Sequence, residues 1–541
     1  MVESEEFVKR FLNLGIHLTD GALETFDDSS SEEIEKVLRN LKDGDDRPTV
    51  LTENEIYDIL SSEEVVSSKR SLNKNCGVDL ESESSLDESA RRDDKYNKVL
   101  SEGDVIFRDE EEEEGRIEVL KNITGKSSSE GEVEDFVGFF RNRFEKLKNI
   151  LRSREGFQSY TQLENIVRHE GEDVNLVGMV NERRETRKGD WIVEIEDPTG
   201  KAVVFVKDSE RNGDIVESVE RIVTDEVIGV KAHVPQDLDS GNRNPLVFGN
   251  EIFYPDIPIS KSSEENNGQD ALNPSGYVVL LSDLHVGSSE FLPDAFENFT
   301  KWINGSAGNK KQKKIAENVK YILIAGDLVD GIGVYPGQQK ELNIEGISDQ
   351  YQKVAELLSK IPDDILIIAC PGNHDAVRLA EPQPALYTEV ASPLRKVNVK
   401  LVSNPALLSI EGVKFLMYHG MGFDDLIASD PELDRENVRK PMTKVMMKRH
   451  LAPVYGEPMG GRTPFSPEED DYLAIDEVPD ILHCGHLHKY GVCEYRGVRL
   501  VNSATFQAQT RFMKRQGVNP TPGHVPIVDL ESKKVRAINF A

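Results

Sequence analysis

The sequence has few of the features that mark membrane, secreted or disulfide-stabilised proteins. No window of its 541 residues approaches twenty consecutive apolar residues, which argues against a transmembrane helix. Residues 1–6 are acidic and lack an apolar core segment, which argues against a secretory signal. Only four cysteines occur, without paired zinc-ligand spacing, and they suit a reducing compartment. We therefore expect a cytoplasmic protein that has no contact with a membrane.

Basic residues are also scarce. Lysine and arginine number 65 against 98 aspartates and glutamates, so the formal net charge is -33. Strong binding to nucleic acid by counterion release needs many cations at the phosphates. Any contact with DNA must therefore be local, or shared with a basic partner. The length is sufficient for about two to four domains.

The composition changes several times along the chain and predicts separate segments. Apolar residues at helical spacing over residues 1–60 predict a small helical docking module, with a folded cap that binds no partner as the alternative. Residues 61–134, which include the acidic run 110–114, predict a disordered acidic linker. The run could instead mimic DNA or hold a basic partner. Residues 135–171 predict a helical segment, and residues 260–276 predict a polar linker.

Residues 172–259 show the period of β-strands. Alternating apolar residues and the turn from Asp197 to Gly200 predict about five strands, which suggests a small barrel of the oligonucleotide/oligosaccharide-binding (OB) type. A barrel that serves only as a scaffold for other proteins fits the pattern equally well. The candidates for contacts with DNA phosphates are four basic residues of the first hairpin, Arg183, Arg184, Arg187 and Lys188.

Residues 277–541 predict an α/β domain in which apolar strands alternate with helices. Five of the predicted strands end in residue types that bind metals. Each of these residues alone could be a helix cap or a core residue, but their repetition at successive strand ends indicates one shared site. The metal-binding residue types at these strand ends are Asp283, His285, Asp327, Asn373, His374, Asp375, His419, His486 and His488.

The chemistry of this ligand set predicts a dinuclear metal phosphoesterase. A carboxylate such as that of Asp327 can bridge two cations about 3.5–4 Å apart. Mixed Asp, Asn and His ligands suit Mn²⁺, Fe²⁺ or Zn²⁺ better than Mg²⁺, which prefers oxygen ligands. Paired cations activate water for attack on phosphorus and neutralise the charge that develops on the phosphoryl oxygens. We expect two divalent metal ions. Mn²⁺ is the first choice, and Fe²⁺, Zn²⁺ and Mg²⁺ are the alternatives.

Five short motifs follow one another along the chain. They are Asp283-x-His285, Gly326-Asp327-x-x-Asp330, Gly372-Asn373-His374-Asp375, His419-Gly420 and Gly485-His486-x-His488. Their order resembles that of the calcineurin-like metallophosphoesterase superfamily. The barrel before the motifs, and the segments 462–465 and 520–524, make the chain similar in particular to the small subunits of archaeal family-D DNA polymerases.

This resemblance implies a calcineurin-like α/β sandwich, preceded by the OB-fold barrel and the small N-terminal helical module. It implies a 3′→5′ proofreading exonuclease that hydrolyses DNA at single-stranded or mismatched 3′ ends, beside a large catalytic polymerase subunit. His374 is implied to be the acid near the leaving group. One metal would be held by Asp283, His285, Asp327 and His488, and the other by Asp327, Asn373, His419 and His486.

Two other functions remain open from the sequence. The first is a stand-alone calcineurin-like phosphoesterase or a repair nuclease. Such enzymes generally carry the catalytic domain at or near the N-terminus, whereas about 275 residues precede it in this chain. The second is a non-catalytic accessory subunit that binds DNA, and the complete set of ligand motifs argues against it.

Overall fold

The chain divides into two compact units, Met1–Lys95 and Tyr96–Ala541. In the first unit, β1 (His17–Leu18) and β2 (Val50–Leu51) pair in parallel. The helices predicted over residues 1–60, and the part of the predicted linker before residue 116, otherwise lie outside the described residues. A computed structural model describes residues 17–18, 50–51, 116–209, 212–236, 244–258, 274–455, 463–515 and 517–541.

The described residues form nine α-helices and three short 3₁₀ helices. Short 3₁₀ helices cover Leu163–His169, Gln338–Glu341 and Leu394–Lys396. The α-helices are α1 (Val133–Arg152), α2 (Gly213–Glu220), α3 (Pro293–Ile303), α4 (Lys310–Ala316), α5 (Ile347–Leu358), α6 (Thr388–Ala391), α7 (Phe423–Ser429), α8 (Arg439–Lys448) and α9 (Arg511–Arg515).

The strands form a barrel and two open sheets. The barrel strands are β4 (Asp173–Glu185), β5 (Trp191–Asp197), β6 (Gly200–Val206), β7 (Val227–His233) and β8 (Leu246–Phe253). The sheet strands are β3 (Ile117–Lys121), β9 (Tyr277–Leu281), β10 (Val319–Ala325), β11 (Leu366–Cys370), β12 (Val399–Leu401), β13 (Ala406–Ile410), β14 (Val413–Tyr418), β15 (Ile481–Cys484), β16 (Tyr490–Tyr495), β17 (Val498–Ser503), β18 (His524–Asp529) and β19 (Val535–Asn539).

The barrel is closed, with the strand order β4-β5-β6-β8-β7. All neighbours are antiparallel except β6 and β8, and β7 pairs back onto β4 to complete the ring. Alternation of side chains along each strand sends Val193, Ile195, Val204 and Val230 into a buried interior. The predicted five strands are therefore present. Gly178 is required in β4 because a Cβ atom there would overlap Ile195.

The two sheets are each six-stranded and share one apolar core. The first sheet has the order β12-β11-β10-β9-β18-β19, and the second has the order β16-β17-β15-β14-β13-β3. Leu280 and Ile368 of the first sheet belong to the same buried cluster as Phe415 and Ile481 of the second. Between them these residues form the middle of an α/β sandwich.

Helices cover the outer faces of both sheets. The next residue along β9 from Leu280 is Leu281, which packs outward into a cluster with Phe299 of α3 and Tyr351 of α5. On the second sheet, α7 and α8 cover the outer face and contribute Met442 among other side chains. The strands are thus buried on both faces, which explains why they occur in the sequence as continuous apolar runs.

Strand β3 corrects the predicted linker. It lies within residues 61–134, which we expected to be disordered, yet it pairs antiparallel with β13 at the edge of the second sheet. Lys121 Nζ donates to the carbonyl of Ala474 at 2.9 Å, and Asn122 accepts from the backbone of Ser403. The polar composition around β3 concealed it, because its pairing partner lies almost three hundred residues further along the chain. The predicted linker is therefore wrong over residues 116–134.

Helix α1 joins the barrel to the sandwich. Its Phe144 and Leu147 pack on the barrel side chains Val177 and Met179. One turn before Leu147 on α1, Arg143 is fully buried and its Nε lies 3.0 Å from the Asp471 carboxylate. His450 Nε2 lies 2.9 Å from the same carboxylate, so Asp471 neutralises the Arg143 guanidinium and also orients the His450 imidazole. The helix within the predicted segment 135–171 thus packs against both the barrel and the sandwich.

Candidate metal centre

The predicted ligands lie in the turns that follow five parallel strands, β9, β10 and β11 of one sheet and β14 and β15 of the other. Within these turns, left-handed backbone conformations recur at non-glycine residues. Such conformations are unfavourable for side-chain-bearing residues and gather at functional sites. The predicted ligands with positive φ are Asp283 (51°), His285 (50°), Asp327 (53°), His486 (66°) and His488 (55°).

Glycines in the same turns let the backbone approach the ligands closely. A Cβ atom at position 372 would overlap the carboxylate and the backbone nitrogen of Asp327. At position 485 it would overlap the carboxylate of Asp283. The Asp283 carboxylate can then accept from the backbone N–H of His486, at 3.0 and 3.1 Å. Glycine is therefore required at these two motif positions because any side chain would collide with a predicted ligand.

The first donor set consists of Asp283, His285, Asp327 and His488. His285 Nε2 lies 3.0 Å from His488 Nε2, 3.6 Å from Asp327 Oδ2 and 3.9 Å from Asp283 Oδ1. His488 Nε2 lies 3.2 Å from Asp283 Oδ1. All four side chains are buried. Donor atoms about 3–4 Å apart, all directed to one point, are the spacing expected around an ion bound at about 2.0–2.2 Å.

The second donor set consists of Asp327, Asn373, His419 and His486. Asn373 Oδ1 lies 2.9 Å from His419 Nε2 and 3.0 Å from His486 Nδ1. His419 Nε2 lies 3.3 Å from Asp327 Oδ2. That oxygen is the one that faces His285 in the first set, so Asp327 stands between the two sets. The structure brings all seven predicted ligands together.

The electrostatics of the centre favour a positive charge. Burial by itself would raise the pKa of the Asp327 carboxyl, but the His419 and His374 imidazoles hold that pKa well below its ordinary range. Burial opposes a charge on His419, yet the Asp327 carboxylate outweighs it and raises the pKa of His419 to about 10. Burial also works against ionisation of Asp283, and His488 still keeps its pKa below the ordinary value.

Two further acidic residues orient the ligands. His285 Nδ1 lies 3.1 Å from Asp330 Oδ1, on the edge of the ring that does not face the donor set. His486 Nε2 lies 3.3 Å from Asp424 Oδ2, and Arg435 holds the other oxygen of that carboxylate at 2.6 Å. Asp330 belongs to one of the sequence motifs, although the motif gave it no role. Asp424 has no such signal, because it lies on α7, five residues after His419 and outside the motif.

His374 lies beside the centre rather than within either donor set. Its backbone N–H donates to Asp327 Oδ1 at 2.8 Å, and its Nδ1 lies 2.7 Å from the carbonyl oxygen of Asp330. Its ring is packed edge-on against His285, with 4.6 Å between the centroids. Because a carbonyl only accepts, Nδ1 must carry a proton there. Nε2 is therefore the atom through which His374 can exchange a proton with a substrate.

The residues present fit two divalent cations. The donors are carboxylates, an amide oxygen and imidazoles, without thiolates. In the first set, two imidazole nitrogens point at each other at 3.0 Å, an arrangement that requires a shared proton or a metal ion. Metal-binding histidines usually donate their other ring N–H to a carboxylate or a carbonyl, and Asp330 is in that position at His285 Nδ1.

The basic residues predicted to contact DNA lie on the first hairpin of the barrel, as expected from the sequence. Arg184, Arg187 and Lys188 are exposed. Arg183 is engaged by the protein itself, since it donates to the carbonyl of Glu220 and lies over the Trp191 ring at 5.6 Å. Its guanidinium is the least available of the four for a phosphate.

The chain is similar in sequence to known subunits of DNA polymerases. A family model for the B subunits of DNA polymerases alpha and epsilon matches residues 278–493. A protein of Archaeoglobus fulgidus named "DNA polymerase II small subunit" is 46% identical over 415 residues, which cover 76% of this chain and 78% of that protein. The chain belongs to the DNA polymerase II small-subunit family. The resemblance to archaeal polymerase small subunits is thereby confirmed.

A second small subunit, from Methanothermobacter thermautotrophicus, is 42% identical over 76% of this chain and 81% of its own length. Among solved structures, one titled as a novel archaeal phosphodiesterase covers 48% of this chain and 98% of its own, at 16% identity. Its TM-score of 0.23 is too low to support an argument about the fold. All seven predicted ligands of this small-subunit family member fall inside the matched range 278–493.

None of the described helices of this family member combines the length and the apolar character that crossing a bilayer requires.

Proposed function

We propose that this chain carries a dinuclear-metal 3′→5′ exonuclease that hydrolyses DNA phosphodiester bonds and proofreads beside a large catalytic polymerase subunit. One observation supports the proposal above all others. Asp327 Oδ2 stands 3.6 Å from His285 Nε2 and 3.3 Å from His419 Nε2, so a single oxygen faces two donor sets. Bridging carboxylates of this kind are a feature of two-metal phosphoesterases.

The chain's own residues would hold and orient the cofactors. Asp283, His285, Asp327 and His488 would bind one cation, and Asp327, Asn373, His419 and His486 the other. Paired cations supply an activated water and neutralise charge on a phosphodiester. The mixture of carboxylate, amide and imidazole ligands suits Mn²⁺, Fe²⁺ or Zn²⁺ better than Mg²⁺. Asp330 and Asp424 keep the imidazoles of His285 and His486 in their orientations.

His374 would supply the proton that the departing 3′ oxygen takes up. Its Nδ1–H donates to the Asp330 carbonyl, which fixes the orientation of the ring. The other ring nitrogen can then donate to a leaving group held in front of the two donor sets. This places the acid next to the centre without making it a ligand.

The architecture agrees with the rest of the proposal. Two helix-covered sheets with ligands at the strand ends support a calcineurin-like metallophosphoesterase domain, and the closed five-stranded barrel supports an OB fold. The names of the relatives favour a subunit over a stand-alone phosphoesterase or repair nuclease. A net charge of -33 favours delivery of the DNA end by a partner, which we propose to be the large polymerase subunit.

Substitution of the bridging residue tests the proposal. Asp327→Asn should lower Mn²⁺-dependent hydrolysis of a single-stranded oligonucleotide by orders of magnitude, because a neutral amide bridges two cations poorly. Asp364→Asn is the matched control, since Asp364 is an exposed carboxylate in the turn before β11. Circular dichroism should show that both variants are folded. Near-normal Mn²⁺-dependent activity of Asp327→Asn would refute a dinuclear centre.

A further inference from the structure

An exposed aromatic pair lies at the edge of the metal centre. Phe512 on α9 is 43% exposed, which is unusual for a phenylalanine on a short charged helix. Its ring stacks on that of Tyr335, with 5.0 Å between the centroids and 24° between the planes. The mechanism proposed above uses neither residue.

The pair is linked to the centre through His374. The Tyr335 ring lies edge-on to His374 with 6.4 Å between the centroids, and His374 lies 4.6 Å from the ligand His285. Phe512 is therefore the outermost of four successive rings that lead from the first donor set to solvent.

The inner member of the pair is held firmly. The Tyr335 hydroxyl lies 3.2 Å from Glu341 Oε2. Gln338 closes the same loop, because it accepts from the backbone N–H of Val334 at 2.9 Å and donates to the carbonyl of Asp330 at 2.7 Å. Tyr335 is thus held in place beneath Phe512, whose side chain is exposed to solvent.

Positive charge surrounds Phe512. Arg511, Lys514 and Arg515 are exposed, and none of them forms an ion pair with another described residue. Met513 is buried and anchors the helix, so that the charged side chains are turned outward. Three exposed cations therefore lie within three residues of Phe512 along the chain.

We propose that Phe512, supported by Tyr335, stacks on a base at an unpaired 3′ end, and that Arg511, Lys514 and Arg515 contact the phosphates that precede it. This inference rests on the proposed exonuclease function and adds the element that selects the substrate. Aromatic side chains bind single strands by stacking on base faces, and nearby cations follow the backbone. A base inside a duplex has no free face, so the platform favours frayed and mismatched ends.

Binding is tested first, because it does not depend on hydrolysis. Full-length protein in EDTA is titrated with a single-stranded oligonucleotide that carries 2-aminopurine at its 3′ end. Stacking on Phe512 should quench the fluorescence, and Phe512→Leu should abolish the quenching and raise the Kd about 5- to 150-fold. Tyr387→Leu is the matched control, since Tyr387 is similarly exposed (42%) on another segment.

Hydrolysis is then compared on two substrates in Mn²⁺, an ordinary oligonucleotide and one whose 3′-terminal residues are abasic. Phe512→Leu should have a lower kcat/KM than the unchanged protein on the ordinary substrate, and the same kcat/KM as the unchanged protein on the abasic one.

Replacement of Arg511, Lys514 and Arg515 by glutamine should reduce the slope of log Kd against log salt by about 2.

The outcomes separate the two proposals. If the unchanged protein hydrolyses neither substrate, the exonuclease proposal fails. If it hydrolyses both, and Phe512→Leu alters neither the quenching nor the ratio between substrates, the platform is refuted. The platform is equally refuted if Phe512→Leu weakens only the association with the large subunit, because this surface would then be a protein interface.

Discussion

Asp330 Oδ1 lies 3.1 Å from His285 Nδ1, on the edge of the imidazole that faces away from the other ligands. Asp330 is itself held by two glutamine amides, since Gln507 Nε2 donates to Oδ1 at 2.8 Å and Gln338 Nε2 to Oδ2 at 3.1 Å. The carboxylate therefore serves only as an acceptor, and its charge reaches the metal site through His285.

Asp330→Asn should weaken binding of the first metal about 10- to 100-fold, because it removes that charge and turns an amide NH₂ towards at least one of the donors that Asp330 accepts from. Competition with a fluorescent chelator for Mn²⁺ would measure the loss. Asp364→Asn should bind Mn²⁺ like the unchanged protein. Equal affinities of Asp330→Asn and the unchanged protein would show that Asp330 does not tune His285.

His374→Ala should separate catalysis from metal binding. As a general acid, His374 would contribute roughly 10²–10⁴-fold to the rate of hydrolysis. The variant should therefore lose most turnover while it retains two bound metal ions, as measured by elemental analysis after gel filtration. A loss of metal on this substitution would make His374 a ligand, contrary to its position outside both donor sets.

Two truncations should differ in stability because β3 belongs to the second sheet. Removal of residues 1–115 should leave metal-dependent hydrolysis and the melting temperature of the sandwich unchanged. Removal of residues 1–133 also deletes β3 and the residues whose backbone and hydroxyls bind Glu468. It exposes the edge of β13, so we expect a melting temperature several degrees lower. Equal melting temperatures would show that β3 adds nothing to the sheet.

The junction between α1 and the sandwich should weaken as the pH falls. Burial, followed by the Arg143 charge, lowers the pKa of His450 to about 4, whereas an unfolded histidine has a pKa near about 6.5. The unfolded chain thus binds more protons between these values, and the stabilisation is present above about pH 6.5 and lost towards pH 4. Comparison with His450→Gln isolates this contribution from those of other groups.

Urea unfolding would measure the effect. The free energy of unfolding of the unchanged protein minus that of His450→Gln should fall by about 2 kcal/mol between pH 7 and pH 5. If this difference is the same at both pH values, His450 does not titrate as its burial demands.

The sequence by itself predicted which residues form the candidate metal centre and where the strands before them lie. The motifs are local: an apolar run predicts a strand, and the ligand follows within a few residues, as Asp283 follows β9 and His419 follows β14. Parallel strands bring their carboxyl ends to a common edge, so local patterns were enough to predict a shared site. The five strands of the barrel were predictable from their alternation for the same reason.

The tertiary structure decided what depends on pairing between distant residues. The pairing of β3 with β13, the contact of Asp424 with His486 and the stack of Phe512 on Tyr335 each join segments that are far apart in the chain or carry no motif. An acidic side chain has the same appearance in a sequence whether it is solvated or orients an imidazole. Only the folding of the chain places it against a particular partner, and the energy of that contact is decided by burial and geometry rather than by residue type.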